Sequence, residues 1–304
     1  MLRYALGRLG IAILVALTVS FLTFALIHGS GDPAMGLVGE GGAQELENVR
    51  RAYGFDRPFL QQYCDWLLGA MRGDLGRSYT LRAPVAAVVA ARLPTTMLLA
   101  AFALAFALAL GIPLGVVAGA RPKTMVDRLA LTVAVIGQAC PAFLLALTLV
   151  FWLGVRWQLL PITGSGSWAN FVMPAIALGF ALMAGVTRLT RACMLDVMAS
   201  DYIRTARAKG LRPGSVLFKH ALRNAIVPVI SLTAVQFGFM LGGSVVIETI
   251  FQIDGLGYLA WESIQRKDLP TMQAIVLILS LVYVVLTFLA DMANVILNPR
   301  GRLA

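Results

Sequence analysis

Residues 201–228 read DYIRTARAKGLRPGSVLFKHALRNAIVP, a basic insert wedged between two long apolar runs. Up to Gly210 it reads as a short helix whose exposed positions are small (Thr205, Ala206, Ala208) or basic (Arg204, Arg207, Lys209). Gly210 stands where a helix commonly stops, because glycine takes the left-handed conformation without steric cost. Pro213 and Gly214 are expected to turn the chain, and Ser215 to cap the helix that follows. A compact knob of this kind, thrust into water between two spans, is built to be gripped by another protein. It predicts a membrane subunit driven from outside itself.

Composition supports the membrane half of that reading. The 304 residues are 59% hydrophobic and only 13% charged, against about 25% charge in an ordinary soluble domain. Six apolar runs reach the ~20 residues a helix needs to cross a bilayer: 9–27, 95–118, 129–155, 171–187, 225–247 and 271–290. None of them contains Lys, Arg, Asp or Glu. With the N-terminus placed inside, the inner side carries two Lys or Arg before the first run, three at Arg121, Lys123 and Arg128, eight from Arg188 to Arg223 and two in the tail, 15 in all. The short outer loops carry three, Arg156, Arg266 and Lys267. Positive loops stay inside, so both termini are expected in the cytoplasm.

The same asymmetry accounts for the net charge of +10 as retention of topology beside an anionic leaflet, and no nucleic-acid motif accompanies it. Arg3 and Arg8 precede the first run, but its ~19 residues exceed the core of a cleavable signal peptide and no A-x-A site follows. An uncleaved signal anchor is expected. Cys64, Cys140 and Cys193 fall outside, within and inside the membrane on this topology, so no intrachain disulfide and no metal site is expected. His28 and His220 lie on opposite sides and cannot share a metal.

Between the first two spans lies an outer segment too long for a bare connector. It holds an expected helix over 44–53 and a second that starts with Pro58, which Asp56 could cap. Phe59, Tyr63, Leu67 and Met71 make one apolar stripe on that second helix. The stripe either packs on the bundle or the lipid interface, or serves as a landing surface for an extracytoplasmic partner. Residues 79–91 lead into the second span as a further interfacial helix. Within the membrane, Gln138 falls mid-way along the third span, where Pro141 is expected to kink the helix. Gln236 lies mid-way along the fifth. Either amide serves interhelical hydrogen bonding or lines a pathway. Gly111-Ile112-Pro113-Leu114-Gly115 reads as close helix packing with a kink.

Ion-coupled carriers usually hold ionisable residues within the bundle, and the nearest candidate here is Asp291 at the inner end of the last span. No Walker loop, HEXXH or GxSxG occurs, so the chain is not expected to be an enzyme. Energy must arrive from another chain, through 201–228.

At that point the residues resemble a known family. Tyr202-Ile203-Arg204-Thr205-Ala206-Arg207-Ala208-Lys209-Gly210, followed by His220-Ala221-Leu222-Arg223-Asn224-Ala225 and Pro228-Val229, looks like the coupling loop of ABC importer permeases. It is most similar to the dipeptide, oligopeptide, nickel and glutathione permease family. Gly31-Asp32-Pro33, Gly73-Asp74-Leu75-Gly76 with Ser78, Gly111–Gly115, Glu248-Thr249-Ile250-Phe251, Gly255-Leu256-Gly257 and Asn298-Pro299-Arg300 are further family-like landmarks, in order and at fitting spacing. Arg204-Thr205-Ala206 replaces the Glu-Ala-Ala of the general loop, and Arg223 replaces its proline; both look like the peptide subfamily. Asp254 stands where a proline usually precedes Gly-Leu-Gly. The short outer connector 156–169 makes the chain look closest to the glutathione-importer branch.

The resemblance implies an all-α membrane protein of the type I ABC importer permease fold, with six transmembrane helices and both termini cytoplasmic. The expected organisation is a signal-anchor helix over 1–28, an extracytoplasmic segment over 29–93, a transmembrane domain over 94–291 carrying the coupling loop at 188–224, and a tail over 292–304. Arg204, Thr205, Ala206, Arg207, Ala208, Lys209, Gly210 and Leu211 would contact an ATPase subunit. The implied partners are a second permease, two cytoplasmic ATPase subunits that bind the ATP, an extracytoplasmic solute-binding protein and membrane lipid, with no nucleic acid and no cofactor of the chain's own. The location would be a bacterial inner membrane and the cargo a dipeptide, oligopeptide or glutathione-like solute. A nickel-chelate importer of the same family, and a non-transport scaffold that merely docks a partner, stay open.

Overall fold

The structure is a computed structural model that describes residues 2–29 and 43–297. Gly31-Asp32-Pro33 and Asn298-Pro299-Arg300 lie outside the described residues, as do the tail from 298 onward and the side chain of Asp291. The described regular elements are helical, with one isolated bridge between Arg77 and Pro84. In chain order they are α1 (Leu2–Gly29), α2 (Ala43–Tyr53), α3 (Phe59–Met71), α4 (Val85–Ala120), α5 (Met125–Ala139) and α6 (Ala142–Leu149). A π-helical run (Val150–Arg156) and a 3₁₀ turn (Trp168–Phe171) lead to α7 (Val172–Met198) and α8 (Asp201–Ala208). A second π-helical run (Ser215–Leu222) continues into α9 (Arg223–Phe251), followed by α10 (Leu256–Gln265) and α11 (Leu269–Leu297).

Four of the described helices are long and apolar enough to span a bilayer: Val85–Ala120, Trp168–Met198, Ser215–Phe251 and Leu269–Leu289. A bent pair, Met125–Ala139 with Ala142–Arg156, makes a fifth if counted as one crossing. Helix α1 is 28 residues long and carries an apolar stretch over Ile13–Leu26. The bend in the third run is 102°, a turn rather than the expected kink. Proline drives its predecessor out of the α region and supplies no N–H. Accordingly Cys140 (φ −79, ψ 118) and Pro141 (φ −61, ψ 135) are both extended, and two consecutive residues leave the helix.

Several boundaries differ from expectation for local reasons. Residues 79–91 do not form a separate interfacial helix: from Val85 the chain is already α4, unbroken through Pro113 to Ala120. Pro58, not Asp56, sits at the N-cap of α3, where its carbonyl accepts from Gln61 and Gln62 N–H. The helix after the insert begins at Pro213, so Ser215 is already helical and caps nothing. Proline is favoured there because its missing N–H would be unpaired in a first turn anyway.

The chain divides into two compact units, Met1–Thr96 with Asp254–Val284, and Met97–Ile253 with Val285–Ala304. In the first, α3 packs on α1. Phe59 and Tyr63 meet Phe21 and Phe24 edge-on at centroid distances of 5.2–5.9 Å, and Tyr63 Oη shares a 2.9 Å hydrogen bond with Ser20 Oγ. The upper half of the apolar stripe is therefore packing, while Met71 at its lower end is exposed. Asp268 is buried and accepts from Ser78 Oγ, from Tyr79 N–H at 3.2 Å and from Thr271 Oγ1 at 2.9 Å. Asp254 forms an ion pair with Arg92 at 2.6 Å. Leu256 N–H is held by Thr96 Oγ1 at 2.8 Å.

In the second unit α7 is the hub: 61% of its apolar window is buried, against 28% for Val85–Ala120. Close approach explains Gly111-x-x-x-Gly115-x-x-x-Gly119 on α4, a small-residue stripe of the kind that lets membrane helices meet. A Cβ at Gly115 would stand 2.5 Å from Thr190 Cβ and 2.7 Å from Thr187 O; at Gly119 it would stand 2.6 Å from Met194 Cβ. The atoms met are Cβ and carbonyl atoms fixed by the α7 backbone. Gly115→Ala is expected to cost about 1–3 kcal/mol, the usual overpacking penalty. Gly242→Ala on α9, with nothing within 4 Å of the new methyl, should be neutral or slightly stabilising. Thermal unfolding of the purified protein checks the pair, and equal midpoints would refute the packing argument.

Candidate functional site

The insert folds as a knob anchored to the second unit. Its helix α8 spans Asp201–Ala208, with Ile203 and Ala206 buried at spacing i, i+3. They pack with Val216 and Ala221 of the following π-helical run, Ala225 of α9, Met194 of α7 and Val116 of α4. Asn224 Nδ2 donates to Tyr202 Oη at 2.8 Å and closes the far side. One apolar cluster therefore joins α8 to three long helices. π-helical turns recur at functional sites because they widen the coil, and this one lies directly behind α8.

The end of α8 is a Schellman motif. Gly210 N–H donates to Arg207 O at 2.9 Å and Leu211 N–H to Ala206 O at 3.4 Å. Gly210 has φ +72, with open space around its Cα. The expected left-handed stop is observed, and its constraint is backbone conformation, not crowding.

Seven of the eight residues expected at the contact surface are exposed: Arg204, Thr205, Arg207, Ala208, Lys209, Gly210 and Leu211. Ala206 is not. It is 8% exposed and belongs to the inner cluster, because the i, i+3 partner of Ile203 faces the same way round the helix. Arg204 pairs with Asp201 on the exposed side, which leaves Arg207 and Lys209 as cations without a carboxylate partner among the described residues.

A second feature escaped the sequence reading. Asp127 is buried in the first turn of α5, and Arg191 of α7 holds it with a two-nitrogen grip, Nη2 to Oδ2 at 2.9 Å. Asp127 Oδ2 also accepts from Lys123 N–H at 2.9 Å, while Thr124 Oγ1 accepts the Asp127 N–H at 3.5 Å. This reciprocal cap suits a carboxylate at a helix N-terminus. Thr124-x-x-Asp127 was the available signal, but its cation lies 64 residues away.

Gln138 and Gln236 are both in the second unit, Gln138 exposed on α5 just before the break and Gln236 half-buried on α9. An apolar groove in this unit, lined by Leu104, Leu108, Ile112, Ile226, Val229 and Phe237, includes neither. Among the described residues no group of His, Cys, Asp and Glu could hold a metal, and the three cysteines are unpaired.

Two family profiles match the chain: "Binding-protein-dependent transport system inner membrane component" over residues 111–303, and its N-terminal companion over residues 1–100. The glutathione transport system permease protein GsiC of Escherichia coli O6:H1 is 39% identical over 304 residues, covering 99% of both chains. GsiC of E. coli K12 is 38% identical over the same span. Two inward-facing crystal forms of the MetNI methionine ABC transporter contain a chain that superimposes with TM-scores of 0.58 and 0.60. Those matches cover 69% of this chain and 96% of that one, at 15% and 16% identity, and so speak to fold.

Proposed function

The chain belongs to the binding-protein-dependent transport system inner membrane components, it is an ABC-importer permease of the inner membrane, and from that premise we propose what it carries and with whom. It forms half of the translocation pathway of an ATP-driven importer for small peptides or a peptide-like solute such as glutathione. A second permease completes the pathway, two cytoplasmic ATPase subunits supply the energy, and an extracytoplasmic binding protein delivers the solute. The observation that carries this reading is the α8 knob, with its exposed basic ridge and a buried cluster that touches α4, α7 and α9. A docking element wired into three long helices is what an externally driven gate requires. The full-length match to glutathione permeases supports the solute class.

In this reading the chain crosses the membrane six times with both ends in the cytoplasm, α1 and the bent α5–α6 pair each counting as a crossing. The excess of basic residues in the loops on one side supports that orientation. Closure of the ATPase pair draws the two knobs together and turns the pathway outward; the solute enters from its binding protein and leaves inward after hydrolysis. Gln138, exposed beside the break in the third crossing, and Gln236 on α9 are the polar side chains offered to it.

Proteoliposomes holding the assembled importer should take up glutathione or a tripeptide only with internal-face ATP and added binding protein. Uptake by this chain alone, driven by an ion gradient, would overturn the reading. A reporter fused after Ala304 should report the cytoplasmic side.

A further inference from the structure

The first unit contains a recess of about 930 Å³ that no part of the transport reading uses. Its size falls within the range of small-molecule sites, roughly 300–1,000 Å³. One wall is aromatic, built from Phe24 and Trp66; the other is the loop that presents Arg77 and Arg82. That loop is held rigidly. Ser78 N–H donates to Ala83 O at 2.9 Å, Arg82 N–H to Ser78 O at 3.0 Å, and Ser78 Oγ is anchored on the buried carboxylate of Asp268. Arg82 itself has φ +52, a backbone state that non-glycine residues seldom adopt and that concentrates at ligand sites.

Charge in the recess is unbalanced. Arg57 pairs with Asp65 at 3.1 Å and Arg51 with Glu47 at 3.0 Å. Arg77 donates to the Arg82 carbonyl at 3.2 Å, and neither Arg77 nor Arg82 has a carboxylate partner among the described residues. The indole N–H of Trp66 is buried with no acceptor among the described residues, although such donors are nearly always paired. Two guanidinium groups without a carboxylate partner among the described residues, beside an aromatic wall, call for an organic anion with carboxylate oxygens, since guanidinium matches carboxylate in a planar, two-bond fashion.

We propose that this recess binds the carboxylate end of a small peptide-like solute before it enters the pathway. The inference rests on the solute class proposed above and adds a site on this subunit for it. Arg77 and Arg82 take the carboxylate, and Phe24 and Trp66 take the apolar body.

Binding can be read apart from transport. The assembled importer, in nanodiscs of phosphatidylcholine and without binding protein, is titrated with glutathione and with glutathione diethyl ester, whose carboxylates are masked. Glutathione should saturate with a change in tryptophan fluorescence and the ester should not. The charge-removing pair Arg77→Gln with Arg82→Gln should weaken binding about ten-fold or more, the scale of a lost charge-assisted hydrogen bond, while Arg72→Gln, outside the recess, leaves it unchanged. A monodisperse double variant with intact ATPase activity excludes misfolding. Equal binding of the ester, an unaffected double variant, or no saturation at all overturns the site. Displacement of glutathione by phosphatidylglycerol added to the discs would reassign the recess to a lipid headgroup and also overturns it. Glutathione binding that persists where glutathione uptake is absent would sink the solute reading and leave the recess standing.

Discussion

Gly210→Val is expected to cut uptake at least about ten-fold and to abolish solute-stimulated ATP hydrolysis, while the protein still inserts and folds. The Schellman hydrogen bonds of Gly210 and Leu211 require φ +72 at this position, and a β-branched residue there costs about 1–3 kcal/mol. Because nothing lies within 4 Å of the new Cβ, the strain is released by rebuilding the end of α8, not by pushing on a neighbour. Gly210→Asn, which tolerates the left-handed state, should restore most of the coupling. Loss of co-purifying ATPase in the valine variant and its return in the asparagine variant would locate the transmission in this turn. Wild-type uptake and stimulation in Gly210→Val would show that α8 does not carry it.

The same geometry changes what the neighbouring substitutions mean. Ala206→Glu does not crowd an exterior groove; it puts a carboxylate among Ile203, Val216 and Ala221 and should loosen α8 from the second unit. The probe of the exposed ridge is Ala208→Glu, or charge reversal at Arg207.

Much of this was legible in the sequence because it is written in local rules. The basic insert, its glycine stop and the apolar runs follow from composition and from residue pairs a few positions apart. The break at Cys140-Pro141 was half legible: proline announced a disturbance, but that both residues would become extended and swing the chain by 102° depends on what α6 packs against. Ala206 was misassigned for a related reason. Small residues suit an exposed contact and a tight core equally, and only the i, i+3 relation to Ile203 distinguishes them. The distant partners in the buried polar nodes were not legible. Ser78 and Asp268 are 190 residues apart, and no periodicity joins them.

Arg191→Ala should be the most damaging substitution away from the knob. It would leave Asp127, 3% exposed, as a carboxylate with only the Lys123 N–H at 2.9 Å to satisfy it. Removing one partner of a buried pair costs about 3–5 kcal/mol; the Arg191 side chain keeps 23% of its exposure, so about 3 kcal/mol is expected. The cost arises mainly from the stranded charge rather than from the lost attraction. Asp127→Asn combined with Arg191→Gln should therefore recover most of the stability, because a neutral pair can keep the reciprocal cap without a buried charge. Thermal unfolding of the two variants beside the unchanged protein gives the comparison. If the double variant is no more stable than Arg191→Ala, the ion pair itself, and not the avoidance of an unpaired carboxylate, holds α5 to α7.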